Sequence, residues 1–210
     1  MENSIRNLDR YNQYNPKDVM GVIGLNTSTF NGKIVDVGCG IDGLTVLHLR
    51  EMFHLPAEGI DELVNNPTYY LIKGDAASIP RQDNYYDKAF SHVSAYRDGS
   101  IIGAKFLANL VGNREEFTER FGLLYHKMVD VTYEVLRVLK RGGDFSIWPF
   151  PAVFLNLIKD DPACNQLNFK IEEVKLKFEI PDNSFLEPIL PDYRSITEYE
   201  FGRRLVFIKP

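Results

Sequence analysis

The stretch from Lys33 to Thr45 constrains the fold of this chain more than any other, because an apolar, β-branched run stops there at glycines. The run ends at Gly38 and Gly40, and the helix-compatible segment Leu44–Phe53 follows Gly43. This pattern predicts a strand, a tight turn and the start of a helix. Glycine suits such a turn because it adopts unusual φ values and lets a ligand approach the backbone. The same pattern also occurs in turns that bind nothing, so the rest of the chain must decide.

The composition favours one globular domain. The chain has 210 residues, of which 44% are hydrophobic and 25% charged, and this is enough for one sizeable core. The net charge of −5 disfavours nucleic acid as a partner, because phosphate neutralisation needs a basic surface. Met1–Arg6 lacks the apolar region of a signal peptide, no run is long enough to span a bilayer, and Cys39 and Cys164 make no disulfide framework. We therefore expect a cytoplasmic protein with no membrane partner.

Predicted strands alternate with helices along most of the chain. The strands are expected at Lys33–Val37, Ala57–Ile60, Tyr69–Ile72, Lys88–Ser91, Asp144–Trp148, Val174–Glu179 and Leu205–Ile208. Alternating strands and helices predict a parallel sheet that is covered on both faces. The strand-rich C-terminal third predicts an antiparallel addition at one edge. The expected fold is therefore α/β: a Rossmann-like, doubly wound, mostly parallel seven-stranded sheet with helices on both faces and an antiparallel C-terminal edge.

The longest periodic segment predicts a helix just before the fifth strand. Apolar residues from Phe117 to Leu139 recur every three or four positions, as on one face of a helix. Asn113 and Glu116 resemble a capping box at its start, and Gly142–Gly143 is expected to end it. A further helix is expected between Ser94 and Val111.

Two segments lie outside the alternating pattern. Residues 1–30 are polar and rich in asparagine, and we expect them to form an N-terminal arm or cap on a main domain of residues 31–210. Three prolines between Pro181 and Pro191 predict a long irregular connection, and such connections are more often functional than neutral.

Polar side chains fall where four of the predicted strands end. They are Asp36, Asp61, Asp75 and the pair Ser91–His92. In doubly wound sheets, ligands bind beyond the C-terminal ends of the strands, near the point where the strand order reverses. The positions of these residues therefore predict a ligand site at this edge.

In order along the chain, four motifs resemble those of the class I S-adenosylmethionine-dependent methyltransferases. They are Val35–Gly40, Gly59–Asp61, the segment Lys73–Asp87, and the helix and turn Glu134–Gly143. Together they cover roughly residues 30 to 150. One departure is that Asp42 stands where the family usually places its third glycine, and Gly43 follows it.

The resemblance implies roles for individual residues with S-adenosylmethionine as the cofactor. The glycine turn, Gly38, Cys39 and Gly40, would lie against the methionyl part, with Asp36 facing its ammonium group. Asp61 would accept from the two ribose hydroxyls, although a helix-capping role competes with this interpretation. The residues expected around the adenine are Ile60, Glu62, Asp75, Ala76 and Ile79, and Ser91 is a further cofactor contact.

A dinucleotide cofactor is the rival interpretation of the same glycines. Gly38, Gly40 and Gly43 also fit the dinucleotide fingerprint, with Asp61 at a plausible distance for a ribose. A dinucleotide places an anionic pyrophosphate at the helix N-terminus, where Asp36 and Asp42 would repel it. S-adenosylmethionine carries a sulfonium and an ammonium group instead, so the acidic residues favour the methyl donor.

Three functions remain open at this stage. The first is methyl transfer to a small-molecule acceptor, with His92 as a candidate general base at the end of the fourth strand. The second is an NAD-linked oxidoreductase, and the third is a methyltransferase-like binding protein without catalytic activity. No set of residues has the spacing of a metal site.

Overall fold

A computed structural model describes residues 16–92, 103–104, 107–108, 111, 113–175 and 192–210. The strands are β1 (Ile34–Val37), β2 (Ala57–Asp61), β3 (Leu71–Lys73), β4 (Tyr86–His92), β5 (Leu139–Trp148), β6 (Phe169–Glu173) and β7 (Arg203–Ile208). The α-helices are α1 (Pro16–Val22), α2 (Leu44–Phe53), α3 (Arg114–Val138), α4 (Ala152–Asp160) and α5 (Tyr193–Phe201), and a 3-10 helix spans Pro162–Cys164.

One seven-stranded sheet with the order β3-β2-β1-β4-β5-β7-β6 organises the molecule. The five strands from β3 to β5 are parallel, and β7 pairs antiparallel with both β5 and β6. The order reverses at β1 and β4, which are neighbours in the sheet but far apart in sequence. The predicted doubly wound, mostly parallel sheet with an antiparallel C-terminal edge is therefore confirmed.

Two apolar clusters form the core. One contains Val35 and Val37 of β1, the buried stripe of α3 and the buried side of α4. The other contains Ile34, the buried residues of α2 and five residues between Val19 and Leu25. Because successive strand residues point to opposite faces, β1 contributes to both clusters, and each cluster is buried by helices.

The glycine turn begins where predicted, but β3 lies further along the chain than expected. It spans Leu71–Lys73 rather than Tyr69–Ile72. The Thr68 hydroxyl accepts hydrogen bonds from the backbone N–H groups of Tyr70 and Leu71 at 3.3 and 3.0 Å, which holds this stretch in a turn. Residues 62–70, which connect β2 and β3, form turns and bends.

The end of α3 also differs from the prediction. Asn113 caps the helix as expected, because its side chain accepts a hydrogen bond from the Glu116 N–H at 2.9 Å. The helix ends at Val138, however, and Gly142–Gly143 lies within β5. The Lys209 ammonium group donates to the carbonyls of Arg137 and Leu139, which satisfies the end of the helix before the glycines are reached.

Of the strand expected at Val174–Glu179, the structure describes only Val174 and Lys175, and neither lies in a strand. Its place next to β7 is taken by β6, which ends at Glu173, and the backbone N–H of Val174 instead donates to the Gly202 carbonyl at 2.8 Å. An ion pair between Arg204 and Glu172 joins the two edge strands. The irregular connection 181–191, residues 1–15 of the predicted arm and most of the helix expected at 94–111 lie outside the described residues.

The described part of the arm packs on the domain. Residues between Val19 and Leu25 are buried in the core, and the Arg204 guanidinium donates to the carbonyls of Gly21 and Val22 at 3.2 and 3.1 Å. The division between residues 1–30 and 31–210 stays a prediction. Among the described helices, none combines the length and apolar character needed to cross a bilayer.

Gly59 of β2 lies where the glycine turn and α2 pack on the sheet. A Cβ atom added there would lie 2.7 Å from the Cys39 sulfur and 2.8 Å from a methyl carbon of Val46. We expect Gly59→Ala to lower the free energy of unfolding by about 1–3 kcal/mol because the site is already filled. Urea denaturation measures the change.

The matched control is Gly122→Ala in α3, where an added Cβ meets nothing within 4 Å. It should raise stability by up to about 1 kcal/mol, because alanine favours a helix over glycine. Equal effects of the two substitutions would contradict the packing described for Gly59.

Candidate functional site

The turn after β1 is held by hydrogen bonds to the end of β2. The backbone N–H groups of Gly38 and Cys39 both donate to the carbonyl of Ile60, at 2.8 and 3.3 Å. The N–H of Gly40 donates to Oδ2 of Asp61 at 2.9 Å. Three successive amides of the turn therefore have acceptors within the protein.

Gly40 and Gly43 are glycines for different reasons. Both have positive φ, 75° and 56°, which other residues rarely adopt. A Cβ at Gly43 would lie 2.3 Å from a methyl carbon of Leu71, so this glycine allows the start of α2 to pack on the sheet. A Cβ at Gly40 would meet nothing within 4 Å, so the described part of the chain leaves space beside this glycine.

Asp36 is a buried carboxylate directly before the glycine turn. Its side chain is only 3% exposed, and the described part of the chain supplies no hydrogen-bond partner for Oδ1. Burial raises the pKa of this carboxyl well above its ordinary value, and the nearby charge of Asp61 raises it further. A buried polar atom without a hydrogen-bond partner is rare in folded proteins and calls for an explanation.

Asp61 binds the chain itself through both of its carboxylate oxygens. Oδ2 accepts from Gly40, and Oδ1 accepts from the N–H of Leu63 at 2.8 Å. Asp61 thus holds two backbone N–H groups, but no helix follows it, so the helix-capping role that competed with ribose binding is absent from the described residues. Each carboxylate oxygen can accept a second hydrogen bond, so Asp61 can keep these two bonds and also accept from a ribose.

Cys39 is half-buried between Asp36 and Asp61. Burial raises the pKa of its thiol, and both carboxylates add to the rise. The reactive form of cysteine is the thiolate, so this environment suits a small packing residue rather than a nucleophile.

A lysine that the sequence did not single out meets the acidic residues at the ends of β2 and β3. The Lys127 ammonium lies 2.7 Å from Oε1 of Glu62 and 3.8 Å from Oδ1 of Asp75. The hydrogen bond to Glu62 raises the pKa of Lys127, with the charges of Asp75 and Asp61 contributing. Lys127 adjoins the apolar stripe of α3, but its partners are distant in sequence, so no local pattern could reveal the pairing.

Asp75 and Ala76 follow β3, and the Asp75 side chain shapes the turn there. Its Oδ1 accepts from the N–H of Ala77 at 2.9 Å. Asp75 and Glu62 are exposed, whereas Ala76 is half-buried and packs on the core. Ile79, also expected near the adenine, is buried in the core.

Ser91 and His92 end β4 and point to opposite faces of the sheet. Ser91 is buried and pairs in register with Ile147, whereas His92 pairs with Trp148. The His92 ring stacks on the indole of Trp148, with 5.1 Å between ring centroids and an interplanar angle of 5°. Burial lowers the pKa of His92 to about 4, so its imidazole is neutral at pH 7. Asp36 lies on the same face as His92, because it pairs with Phe90, two residues earlier on β4.

Two other features lie away from this edge. Glu58, near the start of β2, binds Arg81 and the hydroxyl of Tyr86 at 2.7 and 2.8 Å. A groove of about 540 Å³ near the C-terminal end of α2 is lined by Met20, Gly21, residues 24–27 and Phe53. Neither includes a residue of the glycine turn. Within the described residues, no group of three or more His, Cys, Asp or Glu side chains is arranged to hold a metal ion.

Comparison with known proteins adds similarities in structure. No protein-family model matches the sequence, and no curated protein is similar enough to count as a relative. Among solved structures, the chain is similar to the [4+2]-cyclase SpnF, with 16% identity over 93% of this chain and 79% of that one and a TM-score of 0.49.

Two further structures are described as methyltransferases. One is geranyl diphosphate C-methyltransferase from Streptomyces coelicolor, in complex with S-adenosyl-L-homocysteine, at 12% identity over 93% of this chain and 76% of that one, with a TM-score of 0.47. The other, from Methanococcus maripaludis, is described as S-adenosyl-L-methionine-dependent and is 14% identical over 92% of this chain and 83% of that one, with a TM-score of 0.44. At such identities these similarities assign no chemistry to the chain.

The burial of Asp36 leads to a prediction about stability and pH. An aspartate in the unfolded chain loses its proton near pH 4, whereas folded Asp36 holds its proton to higher pH. The folded state therefore binds more protons over this range, and stability falls as the pH rises from about 4 through the folded pKa. Asp36→Asn should remove this loss of stability. At the upper end of this pH range, the ligand-free variant should be about 1–3 kcal/mol more stable than the wild type.

Urea denaturation between pH 4 and pH 8 measures the difference. Asp42→Asn is the matched control, since Asp42 is exposed in the same turn and its substitution should change stability by no more than about 0.5 kcal/mol. A loss of stability in Asp36→Asn that is constant with pH would show that the carboxylate has a partner.

Proposed function

We propose that this protein is an S-adenosylmethionine-dependent methyltransferase that acts on a small-molecule acceptor. The observation that carries the proposal is the buried Asp36 carboxyl, two residues before the glycine turn, whose Oδ1 has no hydrogen-bond partner among the described residues. A cationic group bound at the turn would supply such a partner. S-adenosylmethionine carries both an ammonium and a sulfonium group, so its charge suits this acidic edge.

The hydrogen bonds of the turn argue against a dinucleotide. Bound pyrophosphate is normally held by free backbone N–H groups at such a turn and at the N-terminus of the following helix. Here the N–H groups of Gly38 and Cys39 are committed to Ile60, and that of Gly40 is committed to the Asp61 carboxylate. A pyrophosphate would also lie beside the side chains of Asp36 and Asp42, and this repulsion disfavours an NAD-linked oxidoreductase.

The residues at the edge fit a nucleoside as well as an amino acid. Asp61, whose oxygens each have room for another donor, would accept from the ribose hydroxyls. Asp75 would accept from the adenine amino group, with the backbone of Ala76 donating to the ring and with Glu62 and Ile79 beside it. Gly38, Cys39 and Gly40 would lie against the methionyl part, and Ser91 would contact it from the end of β4.

The protein's part in methyl transfer would be alignment and exclusion of water. When bound, S-adenosylmethionine supplies a methyl carbon that is already activated by its sulfonium group. A nucleophile in line with the carbon–sulfur bond can then react without covalent help from the protein. His92 would be the candidate general base, since its neutral imidazole can accept a proton from the acceptor. Its low pKa makes it a weak base, so alignment would carry most of the rate.

Net charge supports a small-molecule acceptor. The chain carries a net charge of −5, which disfavours the broad phosphate contacts of nucleic-acid enzymes. A methyltransferase-like binding protein would have the same cofactor site, and only turnover separates the two.

Calorimetric titration tests the cofactor directly. We expect the folded protein to bind S-adenosylhomocysteine and S-adenosylmethionine, and to bind NAD much more weakly or not at all. If the protein bound NAD in preference to both of these ligands, the result would contradict methyl transfer and support an NAD-linked oxidoreductase. If the methyl donor binds, a panel of hydroxyl, amine and carbon acceptors then distinguishes an enzyme from a binding protein.

The substitution Asp36→Asn should weaken the binding of ligands that carry the amino-acid part and leave the binding of other ligands nearly unchanged. We expect the affinity for S-adenosylhomocysteine to fall by about tenfold to a hundredfold, as expected for a lost hydrogen bond to a charged group. The affinity for 5′-methylthioadenosine, which has no amino-acid part, should be nearly unchanged. Calorimetry with both ligands makes the comparison, and Asp42→Asn again serves as the control. An equal loss for both ligands would show that Asp36 supports the turn instead of the ammonium group.

A further inference from the structure

Lys127 lies across the part of the edge where a nucleoside would enter. Glu62 follows β2 directly and Asp75 follows β3 by two residues, and these two strands are neighbours in the sheet. The Lys127 ammonium contacts both carboxylates from α3, which lies far from them in sequence. The lysine therefore joins three elements at the ends of β2 and β3.

The position of this ammonium matters because its partners belong to the proposed adenosine site. Asp61, the expected ribose partner, immediately precedes Glu62, and Asp75 is the expected partner of the adenine amino group. An ammonium group held by Glu62 and Asp75 competes with a nucleoside for the same carboxylates and for the space between them.

The strength of the contact suits a bond that a ligand can displace. The Lys127 side chain is 46% exposed, and those of Glu62 and Asp75 are 57% and 47% exposed. Ion pairs this exposed to solvent contribute little stability and are screened by salt. Lysine also has a long, flexible side chain, so it can move away without a change in the fold.

We propose that Lys127 is a latch that pairs with Glu62 and Asp75 in the ligand-free protein and must leave when the adenosine part of the cofactor enters. This inference rests on the proposed function, because the site that the latch closes is the cofactor site. Lys127 then determines the affinity for the nucleoside without contacting it in the bound state.

If Lys127 is a latch, removing it changes the ligand affinity in one direction; if Lys127 binds the nucleoside, removing it changes the affinity in the opposite direction. If Lys127 competes with the ligand, its removal raises affinity; if Lys127 covers or contacts the bound adenine, its removal lowers affinity. The ligand for this comparison is S-adenosylhomocysteine, since it is a zwitterion with no net charge. Adenosine, which is uncharged, reports on the nucleoside part alone.

The experiment compares the wild type with Lys127→Met and Arg120→Met by calorimetry. Arg120 is the matched control, because it lies on α3, is exposed and, within the described residues, forms an ion pair in helix spacing with Glu116 at 2.7 Å. At roughly 20 mM salt, where screening is weak, Lys127→Met should bind both ligands about three- to tenfold more tightly than the wild type. Arg120→Met should match the wild type.

Salt gives an independent readout. Raising the salt to roughly 0.5 M screens the ion pairs, so the affinity of the wild type for adenosine should rise toward that of Lys127→Met. The affinity of Lys127→Met for this uncharged ligand should stay nearly constant. A wild-type affinity that does not change with salt would overturn the latch.

Chemical labelling of amines locates the change. In the ligand-free protein, Lys127 should react more slowly with an acylating reagent than the exposed Lys159, and S-adenosylhomocysteine should make Lys127 react faster. Slower reaction of Lys127 with ligand present, or weaker binding by Lys127→Met, would show that the lysine covers the ligand and would overturn the proposal. Equal affinities of the wild type and Lys127→Met would contradict the latch but leave the proposed function standing. If none of the three proteins bound either ligand, both the latch and the proposed function would be contradicted.

Discussion

The hydrogen bond from the Gly40 N–H to the Asp61 carboxylate is the contact on which the rest of the site depends. It joins the turn after β1 to the end of β2 at 2.9 Å, and the bonds from Gly38 and Cys39 to Ile60 reinforce it. Because the N–H groups of Gly38, Cys39 and Gly40 have acceptors within the protein, these three groups are not free to hold an anion. What the turn offers instead is space beside Gly40, next to two carboxylates, Asp36 and Asp61.

Charge is distributed unevenly between the two ends of the parallel strands. At the ends where β2 and β4 begin, acidic groups are paired with cations: Glu58 binds Arg81, and Asp87 binds Lys140. At the opposite ends, Asp36 is buried without a cation beside it in the described residues, and the exposed acidic residues share Lys127. A sheet that served only as a scaffold would gain nothing from a buried carboxyl group whose Oδ1 has no hydrogen-bond partner in the described residues. The imbalance is therefore best explained by a cationic ligand.

The sequence predicted the sheet because local signals determine most of its elements. The glycines after β1, the apolar stripe of α3 and the Asn113 cap each act over a few residues, and each is confirmed. Two of the errors, at the end of α3 and at the C-terminal strand, arose where distant contacts decide. The Lys209 side chain caps α3 before Gly142 is reached, and pairing with β7 places β6 earlier than the alternation at 174–179 suggested.

The candidate site divides in the same way. The carboxylates at the strand ends could be identified from sequence, because each lies within three residues of the end of a predicted strand. The position of Lys127 could not, since Glu62 and Asp75 approach α3 only in the folded chain. The same holds for His92, whose stacking on Trp148 and low pKa depend on the pairing of β4 with β5. Its role as a base stays a prediction.

A crystal structure of the protein with S-adenosylhomocysteine tests the central claim most directly. The ribose hydroxyls should lie within hydrogen-bond distance of Asp61 while Asp61 keeps its bond to Gly40, and the ligand's amino group should lie on the side of the turn where Asp36 is buried. A ligand bound in the groove beside Met20 and Phe53, with the space beside Gly40 unfilled, would contradict the assignment of the glycine turn as the cofactor site.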